Sequence, residues 1–197
     1  MIELAKGEKV SLTKDKKVNN IFYVGAGWDS YADIDVHVYL QSNGNTSKHL
    51  YYANRFAPGV NYSGDNTTGA GDGIDEYMEV NLVNINPDID EIVFAINMFS
   101  SGSFAKVKGA FAAVYTNKNN YKKGVCMFNL TEQFDSSIVA VIMGKLIKVD
   151  GEWEFVADGT GLSSKLRDTC PVADKYSNYT VATDQRKKGF FSRIFKK

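Results

Sequence analysis

Apolar and polar residues alternate with a period of two in many short segments of the chain. In residues 33–40 the even positions are apolar and the odd positions are polar or amphipathic, whereas residues 92–98 are largely apolar on both faces. Alternation is typical of a half-buried β-strand, and two apolar faces are typical of a strand inside a sheet. The same reasoning predicts strands at 21–24, 49–53, 78–83, 110–115, 125–130, 138–149 and 153–157.

Residues that favour turns separate these segments, which indicates an all-β protein. The pair Asp150-Gly151 predicts a hairpin, because a type I′ turn needs positive φ at both central residues. Residues 162–170 are predicted to form a short helix that Pro171 ends. We expect residues 1–170 to form a β-sandwich of two mainly antiparallel sheets with one or two short helices, residues 171–185 a linker, and residues 186–197 a tail.

Residues 64–76 read Gly-Asp-Asn-Thr-Thr-Gly-Ala-Gly-Asp-Gly-Ile-Asp-Glu, a loop rich in glycine and oxygen-bearing side chains. Calcium takes about six to eight oxygen ligands at about 2.3–2.6 Å. Glycine lets the backbone turn tightly and aim its carbonyls inward. The loop therefore predicts a cation site whose candidate ligands are Asp65, Asn66, Asp72, Asp75, Glu76 and the backbone at Gly69 and Gly71.

Asp33 and Asp35 lie on one face of a predicted strand and extend this acidic set. Two carboxylates about 6 Å apart repel by roughly 3 kcal/mol at an effective dielectric constant of about 20. Between residues 18 and 105 the only cations are Lys48 and Arg55, against eleven acids. A bound divalent cation is the simplest counterion, and two ions would balance four of the six charges.

Three alternatives to a calcium site stay open: a solvated loop without an ion, an acidic face that binds a basic partner without metal, and a hydrolase that uses two carboxylates. The histidines are His37 and His49, and His37 is interpreted as a surface residue of its strand. Without a Gly-x-Ser-x-Gly or Walker motif, we expect no enzyme.

The compartment and the partners are constrained only weakly by composition. The net charge of zero gives no sign of nucleic-acid binding. Cys126 and Cys170 lack the spacing of a zinc site or a disulfide scaffold, which fits a reduced cytoplasm. The longest apolar run, residues 138–143, is too short to span a bilayer, so we expect a soluble intracellular protein.

Five ordered motifs resemble the TerD family of bacterial tellurium-resistance and stress-response proteins. They are Leu-Ala-Lys-Gly-Glu-Lys-Val-Ser-Leu-Thr-Lys at 4–14, Val-Gly-Ala-Gly-Trp-Asp at 24–29, Asp-Ile-Asp at 33–35, the loop at 64–76 and Gly-Glu-Trp-Glu-Phe at 151–155. The resemblance implies a β-sandwich with two calcium ions, and other Ter-type proteins as partners. It places calcium ligands at Asp33, Asp35, Asp65, Asn66, Asp72, Asp75 and Glu76. Ile74 replaces an acid of the family pattern, so we expect a weaker second site unless Asp72 compensates.

The tail begins at Arg186, ends at Lys197 and lies outside the resemblance. Its large apolar residues Phe190, Phe191, Ile194 and Phe195 share one helix face, with six cations in residues 185–197. A basic amphipathic segment favours an anionic membrane surface, with about 1 kcal/mol for each cation. Alternatives are docking on the domain or on a partner, or a solubilising end. We expect a cytoplasmic protein that is peripheral at the inner face of the plasma membrane.

Overall fold

The computed structural model describes residues 1–13, 20–64, 66–69, 73–130 and 134–171, and the backbone of residues 180 and 181. Their strands are β1 (Ile2–Leu4), β2 (Glu8–Ser11), β3 (Ile21–Gly27), β4 (Ile34–Ser42), β5 (Asn45–Leu50), β6 (Phe56–Ala57), β7 (Val60–Tyr62), β8 (Glu76–Asn81), β9 (Glu91–Met98), β10 (Phe111–Tyr115), β11 (Cys126–Asn129), β12 (Ala140–Val149), β13 (Glu152–Leu162) and β14 (Thr180–Val181). Short 3-10 turns lie at Phe104–Lys106 and Tyr121–Lys123. The prediction of an all-β fold is confirmed.

The strands form two sheets of seven strands each. Sheet A has the order β1-β11-β10-β3-β8-β7-β6, and sheet B has the order β14-β2-β13-β12-β9-β4-β5. All the pairs are antiparallel except β1 with β11 and β14 with β2. β14 falls within the predicted linker, and the tail lies outside the described residues.

The core fills the space between the two sheets with the apolar face of each strand. Phe22 and Val24 of β3 face Val36 and Val38 of β4 and Phe94 of β9, and all five are fully buried. Burial of such side chains contributes roughly 1.5–3 kcal/mol each. The period of two in the sequence therefore does predict which residues form this core.

The hairpin between β12 and β13 is confirmed. Val149 pairs with Glu152 across Asp150 and Gly151, which have φ of 51° and 84°. Positive φ at both central residues is the signature of the type I′ turn, whose twist matches that of the flanking strands.

The predicted helix at residues 162–170 is wrong. β13 continues to Leu162, and the segment after it is irregular. Leu162, Leu166 and Cys170 recur every four residues as on a helix face, but all three pack on the outer face of sheet B, against the cluster formed by Tyr39, Val93, Ala95 and Ile142. We call residues 163–171 the cover segment.

Polar side chains of sheet B hold the backbone of the cover segment. The Tyr39 hydroxyl donates to the Arg167 carbonyl at 2.6 Å, and the Leu166 amide donates to Asn97 Oδ1 at 3.2 Å. The Cys170 amide donates to Thr46 Oγ1 at 3.0 Å. These bonds satisfy amide and carbonyl groups that a helix would pair internally, which explains why the helical spacing misleads.

The antiparallel registers bring one set of loops to a common end of the sandwich. β3 ends where β8 begins, since Ala26 pairs with Glu76, and β4 begins opposite the end of β9, since Ile34 pairs with Met98. The loops at this end include 28–33, 51–55, 99–110 and the described parts of 63–75 and 130–139, and we call it the carboxylate end. Over the described ranges, the structure contains no helix long and apolar enough to cross a bilayer.

Candidate metal centre

Glu76 is the central carboxylate of the carboxylate end. Its side chain is fully buried, and Oε2 accepts hydrogen bonds from the Val36 amide at 2.9 Å and the Tyr62 hydroxyl at 2.6 Å. Oε1 accepts from the Asn66 amide at 3.0 Å. Because these donors come from β4, β7 and the loop, one carboxylate ties both sheets to the loop.

Asp75 and Asn66 order the loop beside Glu76. Asp75 Oδ2 accepts from the Trp28 amide at 2.9 Å, and Asp75 Oδ1 accepts from the Asn66 side-chain amide at 2.9 Å. Asn66 Oδ1 accepts from the amides of Thr68 and Gly69 at 3.2 and 3.3 Å. In this conformation the Asn66 side chain holds the loop turn together, as asparagine commonly does.

Trp28 forms a wall behind the loop. It is buried, and its indole N–H donates to the Ala32 carbonyl at 3.0 Å. A Cβ placed at Gly69 would lie 2.0 Å from Trp28 Nε1, so only glycine allows the loop this close an approach. At Gly27 a Cβ would lie 1.8 Å from the Gly73 carbonyl oxygen, so glycine is required on β3 as well.

Asp35 lies near Glu76 and is 2% exposed. Burial raises the pKa of Glu76 to about 7, against the effect of its three hydrogen bonds, and the nearby charge of Asp35 raises it further. Burial also raises the pKa of Asp75, and the charge of Asp29 adds to that increase. The site therefore concentrates acidic groups in a poorly solvated place.

The other predicted ligands divide into two groups. Asp33 is half-buried just before β4, and its carbonyl accepts from the Phe99 amide at 2.9 Å. Asp65, Gly71 and Asp72 lie outside the described residues. Within the described ranges, which omit 65 and 70–72, no three His, Cys, Asp or Glu side chains converge as around a metal ion. The ligand set stays a prediction.

Ile74 has a packing role. Its Cγ2 lies 2.7 Å from the position that a Cβ would take at Gly25, so the side chain packs against the outer face of β3. An acid at this position would meet the strand rather than solvent.

The structure adds residues that sequence reasoning does not predict. Tyr62 and Trp28 hold the carboxylates, and Asp29 acts on Asp75. Trp28 and Asp29 belong to the motif at 24–29, which is the one sequence signal for them. The Asp29 amide also donates to the Lys108 carbonyl at 2.7 Å, so the structure brings a cation from beyond residue 105 to this end.

The interpretation of His37 as a surface residue is wrong. Its side chain is buried, and Nδ1 lies 2.8 Å from His49 Nε2 in a hydrogen bond. Burial, together with the neighbouring His49, lowers the pKa of His37 to about 3. The ring also lies parallel to that of Tyr51, with centroids 5.6 Å apart. Covered by the edge of sheet B and the cover segment, this face of β4 is interior.

A family model for the TerD domain matches residues 1–172. The chain belongs to the TerD family. The tellurium resistance protein TerD of Serratia marcescens is 32% identical over 185 residues, which cover 86% of this chain and 95% of that protein. General stress protein 16U of Bacillus subtilis (strain 168) is 35% identical over 182 residues, covering 84% and 93%.

A crystal structure of a TerD homologue from Streptomyces coelicolor A3(2) has a similar fold. It aligns with a TM-score of 0.59 at 17% identity, covering 74% of this chain and 91% of that one. The resemblance seen in the motifs is thus confirmed. The names of the TerD relatives describe resistance and stress response rather than a reaction.

Proposed function

We propose that this TerD-family protein is a non-enzymatic calcium-binding module of a bacterial system for stress response and tellurite resistance. The observation that carries the proposal is the buried pair Asp35 and Glu76, with Asp75 adjacent along the chain. Burying like charges together costs free energy unless a cation or a proton compensates. A hard cation fits this donor set, since every side-chain donor in it is oxygen.

Two roles would be needed to hold calcium: some residues would bind the ion, and others would fix the strands and the loop around it. Asp33, Asp35 and Asp75 would contribute carboxylate oxygens, together with Asp65 and Asp72 and the backbone at Gly69 and Gly71. Glu76 already receives three hydrogen bonds, so its main contribution is to fix β4, β7 and the loop in place. When bound, the ion would supply positive charge that neutralises this end and joins the loop to the sandwich.

Thermal melting with calcium, magnesium or a chelator tests the proposal. A ligand that binds only the folded state stabilises it by about 2.7 kcal/mol at a hundredfold excess over Kd. We expect calcium to raise the melting midpoint, and Asp35→Asn to reduce that increase. The matched control is Asp88→Asn, an exposed acid in the turn before β9 at the opposite end.

An independent readout comes from Trp28, which contacts the loop. In a Trp153→Phe background it is the only tryptophan, and its emission should respond to calcium. A melting midpoint that stays constant from micromolar to millimolar calcium refutes the proposal. A pull-down of a basic partner that is insensitive to chelator would then favour the metal-independent acidic scaffold.

We further propose that the tail from Arg186 to Lys197 places the protein at the inner face of the plasma membrane. Six cations and four large apolar residues in 185–197 support this assignment. A cytoplasmic location fits the two free cysteines, Cys126 and Cys170. In co-sedimentation with anionic and neutral vesicles in the presence of chelator, a chain ending at Asp184 should lose anionic binding. Equal sedimentation of the two chains refutes the proposal.

A further inference from the structure

Among the described residues, three exposed aromatic rings lie on loops of the carboxylate end. Tyr31 precedes Asp33 in its loop and is 93% exposed, Phe99 is 48% exposed and Tyr52 is 38% exposed. The Phe99 amide bonds the Asp33 carbonyl, and the rings of Phe99 and Tyr52 meet edge to face with centroids 5.5 Å apart. These rings come from three separate loops, which the registers of both sheets place at the same end.

The opposite end of the sandwich differs in chemistry. Its exposed large apolar residues include Val83, in the turn after β8, and Val149, at the hairpin after β12. Tyrosine, with an apolar ring and a polar hydroxyl, favours the boundary between water and lipid, and phenylalanine also enters membrane interfaces, whereas valine is not among the residues enriched there. Among the described residues, the other exposed large aromatic ring is Phe56, which is 67% exposed on the edge strand β6 directly after loop 51–55. The exposed aromatic rings therefore do not lie at the opposite end.

Exposed cations accompany the aromatic rings. Lys165 Nζ donates to the Phe99 carbonyl at 2.6 Å, and Lys106 and Lys108 are exposed on the loop that contacts Asp29. The carboxylate end thus has buried acidic residues (the acidic centre), three exposed aromatic rings and three exposed lysines. An anionic lipid surface complements the cations and the rings, while the acidic centre opposes it until that centre is neutralised.

We propose that the carboxylate end docks on an anionic phospholipid surface, with Tyr31, Tyr52 and Phe99 entering the headgroup boundary. The inference rests on the proposed function, because calcium at the acidic centre would remove the charge that repels anionic lipid. It differs from the tail proposal in residues and in calcium dependence. Tail binding needs no ion, whereas docking of this end requires one.

Two pairs of substitutions in the full-length chain separate the contacts. Tyr31→Ser with Phe99→Ser removes the two more exposed of the three loop rings. Val83→Ser with Val149→Ser makes a matched loss of apolar surface at the opposite end. Each protein is sedimented with vesicles of phosphatidylcholine, with and without phosphatidylserine, in calcium and in chelator, and each is also melted with and without calcium.

We expect calcium to increase binding of the wild type to phosphatidylserine vesicles. The aromatic double variant should lose this increase, binding about tenfold more weakly in calcium, and should keep the calcium-dependent rise in melting midpoint. The valine double variant should retain both responses. Binding that persists in chelator reports the tail.

Two results overturn the inference and leave the proposed function intact. In one, calcium raises the melting midpoint but does not increase vesicle binding. In the other, the aromatic double variant binds vesicles as tightly as the valine double variant. A wild type without any calcium-dependent rise in melting midpoint refutes the proposed function first, and the docking mechanism with it.

Discussion

The contact between Gly69 and Trp28 gives a quantitative test of how the loop is seated. Gly69 has φ of 53°, and a Cβ there would lie 2.0 Å from Trp28 Nε1 and 2.4 Å from Cδ1. Replacing it with alanine introduces two costs: a left-handed backbone conformation for a residue with a Cβ, and overlap with a buried ring. Gly44 separates them, because its φ is 78° and nothing lies within 4 Å of its Cβ position.

The magnitudes follow from the two positions. A left-handed conformation costs about 1–2 kcal/mol for a residue other than glycine, and both variants incur it. Overpacking of a filled site adds about 1–3 kcal/mol, and only Gly69→Ala incurs that. We expect Gly44→Ala to lose about 1–2 kcal/mol and Gly69→Ala about 2–5 kcal/mol.

Urea denaturation measures these losses in the two variants and in the unsubstituted chain, all in the Trp153→Phe background so that the emission reports Trp28 alone. For a domain of this size the extra loss lowers the melting midpoint by roughly 2–12 °C. Gly69→Ala should also shift the Trp28 emission, and Gly44→Ala should not. Equal destabilisation by both variants, with unchanged emission, refutes the packing of the loop on Trp28.

Three further outcomes test other contacts. Tyr62→Phe removes the hydroxyl that bonds the buried glutamate and should cost about 1.5–3 kcal/mol in urea denaturation, whereas Tyr31→Phe, with an exposed ring, should cost nothing measurable. Tyr39→Phe should cost about 1 kcal/mol and speed trypsin cleavage at Arg167; unchanged digestion contradicts a hydroxyl anchor for the cover segment. The pKa of His37 is about 3 in the folded protein, against 6.5 for an exposed histidine. Below about pH 6.5 the unfolded chain therefore binds more protons than the folded protein, and the free energy of unfolding falls on acidification. The stability advantage of wild type over His37→Asn should shrink by about 1.4 kcal/mol from neutral pH to about pH 5.5; a constant difference would be evidence against a neutral buried imidazole.

The sequence predicts the strands well because their period of two is local. It does not predict which polar strand face becomes interior. Asp35 and His37 occupy the polar side of β4 in the sequence, yet both are buried, partly under a segment that follows β13. Contacts between segments so distant along the chain depend on the sheet order, which residue periodicity does not encode.

The candidate site shows the same division. Asp75 and Glu76 are predictable because they share one loop of distinctive composition. The bonds from Tyr62 and Trp28 are not, because they depend on how β7 pairs with β8 and how β3 ends. Ile74 is a departure from the family pattern in sequence, and in three dimensions it is a packing contact with β3.

The two N-terminal strands have a consequence for the order in which the molecule assembles. Ile2 of β1 pairs with Cys126 of β11, and Val10 of β2 pairs with Phe155 of β13. Domains are synthesised from the N-terminus, and contacts between distant residues form slowly. During translation, β1 and β2 leave the ribosome well before their partners β11 and β13 are made. Their unpaired edges are therefore available to chaperones or to other nascent chains until those partners have been synthesised.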